Sequence, residues 1–484
     1  MISPLLTDLY QLTMAFGYWK LGMHEREAVF HQIFRKQPFN GDYSVACGLE
    51  TVVEFLQDWH FADEDLAYLQ GLNTLNGSSL FLPEFLEYLR NLRFSCDIDA
   101  IPEGTLVFPN EPLLRVKGPL LQCQLIESTL LNIINFQTLV ATKASRVCRA
   151  ALGDAVLEFG LRRAQGPDGA LSASRASYVG GVAATSNVLA GKKYNIPVSG
   201  THAHSWVTAF PDEMTAFSAY AKVMPNNCVL LVDTYNTLQG VHHAIEVGKM
   251  LRAEGSELLG IRLDSGDMAA LSIQARRLLD EAGFTQTKII ASNSLDESVI
   301  KDLKKNNSVI SVWGVGTHLA TAYDAPALDG VYKLSALRNE QGEWEYKIKL
   351  SEQAVKISNP GIHQVRRFVQ DGVCVMDIIY DVRQGISESN PECVSLGSPH
   401  TLIQLDHFDA SYDLLQPVFR QGKRVSAQES IHAIRARTLQ QVEQFLKIPH
   451  ETAYPVGLER QLHQVKQNLI ADVLKKNKSE PLNE

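Results

Sequence analysis

The feature that most constrains the fold is a recurrence of short apolar runs through the middle of the chain, with helical stretches between most of them. Strands that alternate with helices predict parallel pairing, because two parallel strands need a long crossover connection between them. We therefore expect an α/β fold in which residues 126–334 form a barrel. An open, doubly wound sheet is the alternative that the same alternation allows. The runs are Ala155–Phe159, Ile196–Ser199, Val229–Val232, Leu258–Ile261, Lys288–Ala291 and Val309–Val312.

The segments on either side of this repeat follow a different pattern. Residues 1–125 mix helical spacing with strand-like runs, and residues 335–425 contain further strand-like pieces. At 484 residues the chain is longer than a single hydrophobic core supports, so more than one domain is expected. We predict an α+β domain over 1–125, completed by 335–425, and a catalytic barrel over 126–334. Residues 426–484 are predicted to form a C-terminal helical segment with a polar tail.

Composition and charge disfavour several classes of protein. The net charge of −9 gives no general attraction to nucleic acid. No apolar run approaches the roughly 20 residues that span a bilayer, and the amino terminus resembles no secretory signal. The seven cysteines are scattered and include no Cys-x-x-Cys pair, which is typical of reduced thiols. A cytoplasmic enzyme that binds neither nucleic acid nor membrane is therefore expected.

Polar or glycine-rich residues follow nearly every one of the predicted strands. In a parallel barrel the carboxyl ends of the strands surround one mouth, where such enzymes keep their chemistry. We therefore expect the functional site at that mouth. The clusters are Arg162-Arg163, Thr201–Ser205, Asp233–Tyr235, Arg262–Asp267, Ser292-Asn293 and Gly314–Thr317.

Two of these clusters carry groups that suit phosphate chemistry. His202 and His204 follow one strand, and an imidazole there can accept a phosphoryl group, move a proton or bind a metal. Arg262 with two carboxylates can hold an anionic substrate together with Mg²⁺, which prefers few carboxylates plus substrate oxygens. Asp264 and Asp267 are the candidate Mg²⁺ ligands. The alternative is that Asp267 caps the following helix and that Asp264 pairs with Arg262.

The remaining strand ends also favour an anionic ligand. Arg162 is followed by a second arginine, and such a pair beside a strand is costly unless it meets an anion. The alternative is a surface pair with a Pro-Asp-Gly turn behind it. Backbone N–H groups at Gly316 and Thr317 can bind a phosphate, although a plain turn fits the same residues. The chain has no Gly-x-Gly-x-x-Gly after an early strand and no Walker-type loop. These features together predict phosphate ester or diphosphate chemistry.

Several motifs, in order along the chain, resemble the nicotinate phosphoribosyltransferase family. The resemblance implies an irregular α/β barrel of the type II phosphoribosyltransferase kind, joined to an α+β domain. It also implies the first step of NAD salvage, in which nicotinate and 5-phosphoribosyl 1-diphosphate (PRPP) give nicotinate mononucleotide and diphosphate. Coupled ATP hydrolysis places that activity in the ligase class. The motifs are Thr7–Met14, Phe34–Phe39, Phe159–Gly169, Gly200–Ser205, Leu231–Tyr235, Gly260–Asp267 and Gly314–Thr317.

The same resemblance implies roles for residues at the nicotinate site. His204 matches the histidine of the family pattern Gly-Thr-x-x-His-Ser and would be transiently phosphorylated. Thr201, Arg262 and Tyr10 would contact nicotinate, and Tyr10 would come from the partner subunit of a head-to-tail homodimer. Helical spacing alone, by contrast, favours a place in the core for Tyr10.

Further roles concern the second substrate and the metal. Thr317, with Gly316, would hold PRPP, and Arg162 would contribute to the same site. Asp264 would take part in catalysis and would bind Mg²⁺ together with Asp267. ATP and Mg²⁺ are therefore the expected cofactors.

Three other interpretations remain at this point. A metal-dependent hydrolase would use His202 and His204 as zinc ligands, with Asp233 or Asp264 as further ligands. A catalytically silent phosphoribosyl-binding protein would bind nucleotide without turnover. Within the family, an enzyme for nicotinamide or quinolinate is the nearest alternative.

Overall fold

The structure is a computed structural model that describes residues 2–351, 357–397, 401–447 and 454–479. None of the described helices combines the length and apolar character needed to cross a bilayer. The end of the predicted polar tail, residues 480–484, lies outside the described residues. The helices are α1 Leu9–Lys20, α2 Leu49–Gln57, α3 Asp63–Gln70, α4 Pro83–Asn91, α5 Leu120–Leu125, α6 Glu127–Ala150, α7 Gly166–Val179, α8 Val188–Tyr194, α9 His204–Thr208, α10 Glu213–Val223, α11 Thr237–Ala253, α12 Met268–Glu281, α13 Glu297–Lys305, α14 Thr317–Ala320, α15 Ile431–Phe445 and α16 Arg460–Ser479.

The described strands form two larger mixed or antiparallel sheets, one parallel sheet and a two-stranded ladder. They are β1 Glu27–Phe34, β2 Ser44–Val45, β3 Asp97–Ala100, β4 Leu106–Val107, β5 Leu114–Pro119, β6 Ala155–Glu158, β7 Ala184–Thr185, β8 Val229–Leu231, β9 Gly260–Leu263, β10 Lys288–Ser292, β11 Val312–Val315, β12 Gly330–Arg338, β13 Trp344–Tyr346, β14 His363–Gln370, β15 Val373–Asp381, β16 Glu392–Ser395, β17 Leu402–Gln404, β18 Ala410–Asp413, β19 Gln416–Arg420, β20 Lys423–Arg424 and β21 Val456–Glu459.

The chain divides into two compact units. Unit 1 comprises Met1–Thr138, Ala327–Ser430 and Arg437–Glu484, and unit 2 comprises Leu139–Pro326 with Ile431–Ala436. The sequence-based boundaries, 125/126 and 334/335, fall close to these divisions. The predicted C-terminal segment 426–484 contains two helices and also the strand β21, and most of it belongs to unit 1.

Unit 2 is the predicted α/β barrel in an irregular form. Its parallel strands pair in the order β7-β6-β11-β10-β9-β8. Consecutive strands of the chain pair with each other, apart from β7 and β8, and the last strand, β11, returns to pair with the first, β6. Such a return is expected when strands follow one another around a ring, and a doubly wound sheet does not produce it. In the described chain no ladder joins β7 to β8, so the ring is open there.

One predicted strand of the barrel is wrong. Residues 196–199 form no regular strand, and the segment makes only a single parallel bridge, from Thr185 to Val198. Pro197 explains the difference, because proline has no N–H to donate to a ladder. Its carbonyl still accepts from Thr185 N at 3.0 Å, and Ser199 N donates to Thr185 O at 3.0 Å. The short strand β7, which sequence reasoning missed, occupies the neighbouring place in the ring.

Unit 1 is an α+β unit built around two sheets. The larger sheet has the order β13-β12-β1-β5-β3-β19-β20, and the second has the order β17-β16-β21-β15-β14-β18. Their strands come from the amino-terminal part of the chain and from the part after the barrel. The prediction that later strand-like pieces return to the first domain agrees with this pairing.

The long apolar segment after β5 is not one continuous helix. It forms two, α5 and α6, which are separated at Ile126. Polar groups meet at this break, where Glu127 Oε2 accepts from Gln124 Nε2 at 2.7 Å and from Gln11 Nε2 at 3.1 Å. These hydrogen bonds satisfy side chains that are otherwise buried beside the first turn of α6.

Candidate active site

His204 is held at one ring nitrogen and free of hydrogen bonds at the other. It begins α9, and its Nδ1 lies 3.1 Å from Thr234 Oγ1. No hydrogen bond from the described residues reaches Nε2, which lies 3.7 Å from Asp264 Oδ2 and 3.9 Å from Asp233 Oδ1. The side chain is 43% exposed. A ring nitrogen in this state can accept a phosphoryl group or a proton.

Arg262 is fixed by hydrogen bonds from three sides. It lies in β9, and its Nε donates to Ser292 Oγ at 2.9 Å. Its Nη1 donates to Thr201 Oγ1 at 2.8 Å, and its Nη2 lies 3.4 Å from Asp264 Oδ1. A guanidinium held in this way has a fixed plane, which suits pairing with a planar carboxylate or a phosphate. The ion pair between Arg262 and Asp264, one of the expected alternatives, is therefore part of the site.

Asp233 belongs to the strand-end cluster Asp233–Tyr235 that the sequence predicts at the mouth, although its only individual role there is that of a possible zinc ligand. Its Oδ2 accepts from Asp264 N at 2.9 Å and from Ser265 Oγ at 2.6 Å. Its Oδ1 is buried and accepts no hydrogen bond from the described residues. A buried carboxylate oxygen without a donor is costly unless a cation meets it. The signal available in the sequence was its place directly after β8.

His202 does not share the role of His204. Its Nε2 accepts from Leu231 N at 3.2 Å, and its Nδ1 lies 3.3 Å from Ala203 O. Burial lowers the pKa of His202, and the ring packs edge-on against Tyr220 at a centroid distance of 4.8 Å. The backbone thus occupies the lone pair that a zinc ion needs, which argues against the His-x-His hydrolase. No cluster of three or more His, Cys, Asp or Glu side chains with metal-holding geometry occurs among the described residues.

Asp267 caps its helix. Its side chain accepts from Ala270 N at 3.1 Å in the first turn of α12. This is the alternative that the sequence left open. The structure does not test Mg²⁺ binding at Asp264 and Asp267, which stays a prediction. The carboxylate that lies beside Asp264 next to His204 is Asp233.

The predicted PRPP residues lie on two adjacent turns of the barrel. Arg162 lies in a short 3-10 turn after β6, and Gly316 precedes α14, which begins at Thr317. Both Arg162 and Thr317 are exposed. The two turns touch closely at Gly160, where an added Cβ would lie 3.1 Å from the carbonyl oxygen of Gly316. The absence of a side chain at Gly160 therefore lets the Arg162 turn approach the start of α14.

Phe159 forms an aromatic wall of the same mouth. The centre of its ring lies 6.0 Å from Arg262 Cζ. A Cβ on Gly314 would lie 2.6 Å from the Phe159 ring, so the first glycine of the motif Gly314–Thr317 makes room for this aromatic. Sequence reasoning placed Phe159 in a motif but gave it no role.

Tyr10 belongs to unit 1, whereas the other predicted site residues belong to unit 2. It lies on α1 and is 51% exposed. The expectation from helical spacing, that Tyr10 is a core residue, is therefore wrong. Spacing failed because the buried face of this short helix consists of Gln11, Leu12 and Ala15.

Comparison with solved structures defines the class of the fold. A crystal structure of human nicotinic acid phosphoribosyltransferase matches with a TM-score of 0.83 and 31% identity, over 96% of this chain and 99% of that one. A nicotinate-nucleotide pyrophosphorylase from Pyrococcus furiosus matches with a TM-score of 0.66 over 91% and 95%. At 22% identity that second likeness concerns the fold alone. Together with the open barrel, these matches define a type II phosphoribosyltransferase.

Three family descriptions match successive parts of the chain. Residues 5–135 match the nicotinate phosphoribosyltransferase N-terminal domain, 155–359 the nicotinate phosphoribosyltransferase family, and 362–466 the corresponding C-terminal domain. The chain belongs to the nicotinate phosphoribosyltransferase family. This membership confirms the resemblance carried by the motifs and places the chain in pyridine nucleotide biosynthesis.

Two relatives illustrate how far the similarity extends. Nicotinate phosphoribosyltransferase of Bacillus subtilis is 49% identical over 365 residues, which is 75% of this chain and 72% of the relative. That of Dictyostelium discoideum is 38% identical over 97% of this chain and 89% of the relative.

Proposed function

We propose that this chain transfers the phosphoribosyl group of PRPP to nicotinate, and that ATP drives the reaction through phosphorylation of His204. The products are nicotinate mononucleotide and diphosphate, together with ADP and phosphate from ATP hydrolysis. The observation that carries the proposal is the state of His204: its Nδ1 contacts Thr234, and its Nε2 lies beside two carboxylates, one of which pairs with Arg262.

Arg262 is the residue proposed to select nicotinate. A fixed guanidinium pairs well with the carboxylate of nicotinate and has no charged partner in nicotinamide. Thr201 supports this role, because its hydroxyl accepts from Arg262 Nη1 and donates to His202 O at 3.2 Å. The hydroxyl thereby ties the arginine to the loop that carries His204. In the transfer step the pyridine nitrogen bonds to ribose C1 as the bond from C1 to diphosphate breaks.

The two carboxylates are proposed to act through Mg²⁺. Asp233 and Asp264 would repel a phosphate or a phosphorylated His204 unless a cation lay between them, and carboxylate oxygens suit a hard cation. The donorless Oδ1 of Asp233 fits such a cation, with Asp264 beside it. When bound, Mg²⁺ would neutralise charge on the diphosphate as it leaves. Asp267, the other predicted ligand, would have to bind Mg²⁺ while its side chain also caps α12.

The PRPP site is proposed at the turns that carry Arg162, Gly316 and Thr317. The exposed guanidinium of Arg162 and the hydroxyl of Thr317 lie on the touching turns after β6 and β11. Arg162 would neutralise phosphate charge, and the backbone at Gly316 can approach an oxygen without hindrance from a side chain.

A cytoplasmic homodimer with shared active sites is proposed as the working assembly. Support comes from α1 and the residues before it, where Leu6, Leu9 and Tyr10 are all about half exposed. Exposed apolar side chains that are close in sequence favour burial against a second copy. Tyr10 would then reach the nicotinate site of the partner.

The experiment compares nicotinate mononucleotide formation, with and without ATP, in the native enzyme and in His204→Ala. ATP stimulation should disappear in the variant, while slow ATP-independent turnover remains. His407→Ala is the matched control, since His407 is 75% exposed and lies in unit 1. Mass spectrometry after incubation with ATP should detect phosphate on His204. Full ATP stimulation in His204→Ala would refute the phosphohistidine route.

A further inference from the structure

Unit 1 contains a cavity of about 420 Å³ whose lining comes entirely from that unit. This size is in the range of small-molecule sites in proteins. Its walls are contributed by β1, β12, β14, β16, β21 and α16, so both sheets and the last helix enclose it. Ile33, Leu458 and Ile470 provide apolar surface within it.

The charged side chains that line the cavity among the described residues are all basic. Arg35, Lys333 and Lys466 line it, and no Asp or Glu occurs among the described residues of its wall. Arg35 Nε is buried and has no hydrogen-bond partner in the described chain. A cavity with several cations and no acid has a positive potential that favours an anion.

Lys466 has a neutral amide, and no acidic side chain of the described residues, as its hydrogen-bond partner. It lies on α16, and its Nζ donates to the amide oxygen of Asn359 at 2.8 Å. Burial lowers the pKa of Lys466, and no acidic side chain of the described residues lies within ion-pair distance. His463, one turn earlier on the helix, also lines the cavity, and burial and the charge of Lys466 lower its pKa. Lys466 is partly buried, and an ammonium that is partly removed from water and paired only with an amide gains from a nearby anion.

The inner wall supplies neutral polar groups around this charge. His31 and His363 stack with ring centroids 4.2 Å apart, and His363 N donates to His31 Nε2 at 3.1 Å. His363 Nε2 lies 2.9 Å from Pro360 O, so its ring is fixed as well. Ser358 also lines the cavity, and its hydroxyl accepts from Lys349 N at 2.9 Å. The cavity thus combines cationic side chains, fixed polar groups and apolar walls.

We propose that this cavity is a second ligand site, independent of the barrel chemistry, that binds a phosphate ester of nucleotide size with its phosphate at Lys466. The phosphate supplies the missing negative charge, and the volume and apolar walls accommodate a sugar and a base. The site uses none of the residues assigned to the reaction at His204.

The test uses hydrogen exchange of the full-length enzyme with three probes, namely AMP, inorganic phosphate and adenosine. AMP should slow exchange in peptides that cover residues 460–470, and adenosine should not. A similar effect of inorganic phosphate would identify the phosphate alone as the ligand, whereas an effect confined to AMP would identify the nucleotide. Unchanged exchange in that segment with both AMP and phosphate would overturn the proposal.

Matched variants test whether Lys466 is the residue that binds the phosphate. Lys466→Met should weaken AMP binding at this site at least tenfold, whereas Lys475→Met, an exposed lysine on the same helix, should leave it unchanged. Lys466→Arg keeps the positive charge and should retain AMP binding. Retained binding in the arginine variant together with weaker binding in the methionine variant would assign the loss to the charge. His204→Ala should keep the protection, so the cavity can be tested even if the phosphohistidine proposal fails. Equal AMP affinity in a folded Lys466→Met enzyme would contradict the assignment.

Discussion

Thr234 Oγ1 lies 3.1 Å from His204 Nδ1, on the opposite side of the ring from the two carboxylates. In the ring form that carries its proton on Nδ1, the Thr234 hydroxyl accepts this hydrogen bond. Nε2 then keeps its lone pair and is the nitrogen that would be phosphorylated.

Thr234→Val should reduce ATP stimulation of nicotinate mononucleotide formation about fivefold, the equivalent of one hydrogen bond of roughly 1 kcal/mol. The turnover without ATP should stay close to that of the native enzyme, because the substitution keeps the shape of the side chain. Thr208→Val is the control, since Thr208 lies on α9, the helix that begins at His204, and its hydroxyl donates to Ser205 O. Equal ATP stimulation in Thr234→Val and native enzyme would show that this contact does not orient the ring.

Arg262→Gln should raise the KM for nicotinate by roughly 10- to 100-fold, because a charge-assisted pair with the substrate carboxylate is lost. Any activity with nicotinamide should change much less, since nicotinamide has no such charge. Steady-state kinetics with both substrates, and with quinolinate, measure this selectivity. Arg277→Gln, at a side chain that is 74% exposed, serves as control. An unchanged preference for nicotinate in Arg262→Gln would place the selecting residue elsewhere.

Asp233→Asn and Asp267→Asn together decide which carboxylate accompanies Asp264 at Mg²⁺. Asparagine can keep the hydrogen bonds that each aspartate accepts, including the helix cap at position 267. We expect the half-activating Mg²⁺ concentration to rise about tenfold in Asp233→Asn, because a charged ligand is lost. It should change little in Asp267→Asn. The reverse result would support the pair predicted from sequence.

The buried pair His31 and His363 should make unit 1 sensitive to acid. Burial lowers the pKa of both, to about 4 for His363, below the usual value of 6.5. The unfolded chain therefore binds more protons than the folded one between about pH 6.5 and pH 4, and stability falls as pH decreases through that window. The free energy of unfolding that is lost through His363 over the whole window amounts to about 3 kcal/mol. The free energy of unfolding, measured with urea from pH 7.5 to pH 4.5, should fall less steeply with decreasing pH in His363→Asn than in the native protein.

Removal of one partner from the buried ion pair of unit 1 should be far more damaging than a surface change. Arg367 Nη2 lies 2.6 Å from Asp377 Oδ2, and both side chains are almost completely buried. Asp377→Asn should cost roughly 3–5 kcal/mol of unfolding free energy, because it leaves a charge without a counter-ion. Glu345→Gln breaks the exposed pair with Lys347 and should cost less than about 1 kcal/mol. Similar urea midpoints for the two variants would contradict this account.

Local patterns predicted much of the barrel because its strands are short apolar runs that end in polar clusters. That logic identified β6, β9, β10 and β11, and with them Arg262 and Asp264. It failed at residues 196–199, where apolar character suggested a strand and Pro197 prevents one. It also overestimated the burial of Tyr10, since a helix that is not packed on all sides exposes part of its apolar residues.

Features assembled from distant segments were beyond this kind of prediction. Lys466 and Asn359 are more than a hundred residues apart, and no spacing in the sequence predicts their hydrogen bond. Asp233 and Asp264 are likewise brought together by the pairing of β8 with β9. Strand ends could be located from the sequence, but which side chains would lie within hydrogen-bond reach depended on register.

The strand β21 lies in the middle of its sheet, between β16 and β15, although it is encoded close to the end of the chain. During synthesis on a ribosome, every barrel strand emerges before this one does. The barrel can thus close while its companion sheet still has two unprotected edges, which are prone to pair with other chains. A nonsense codon shortly before Val456 would leave those edges open permanently. Such shortened products are therefore expected to accumulate as aggregates with intact barrels.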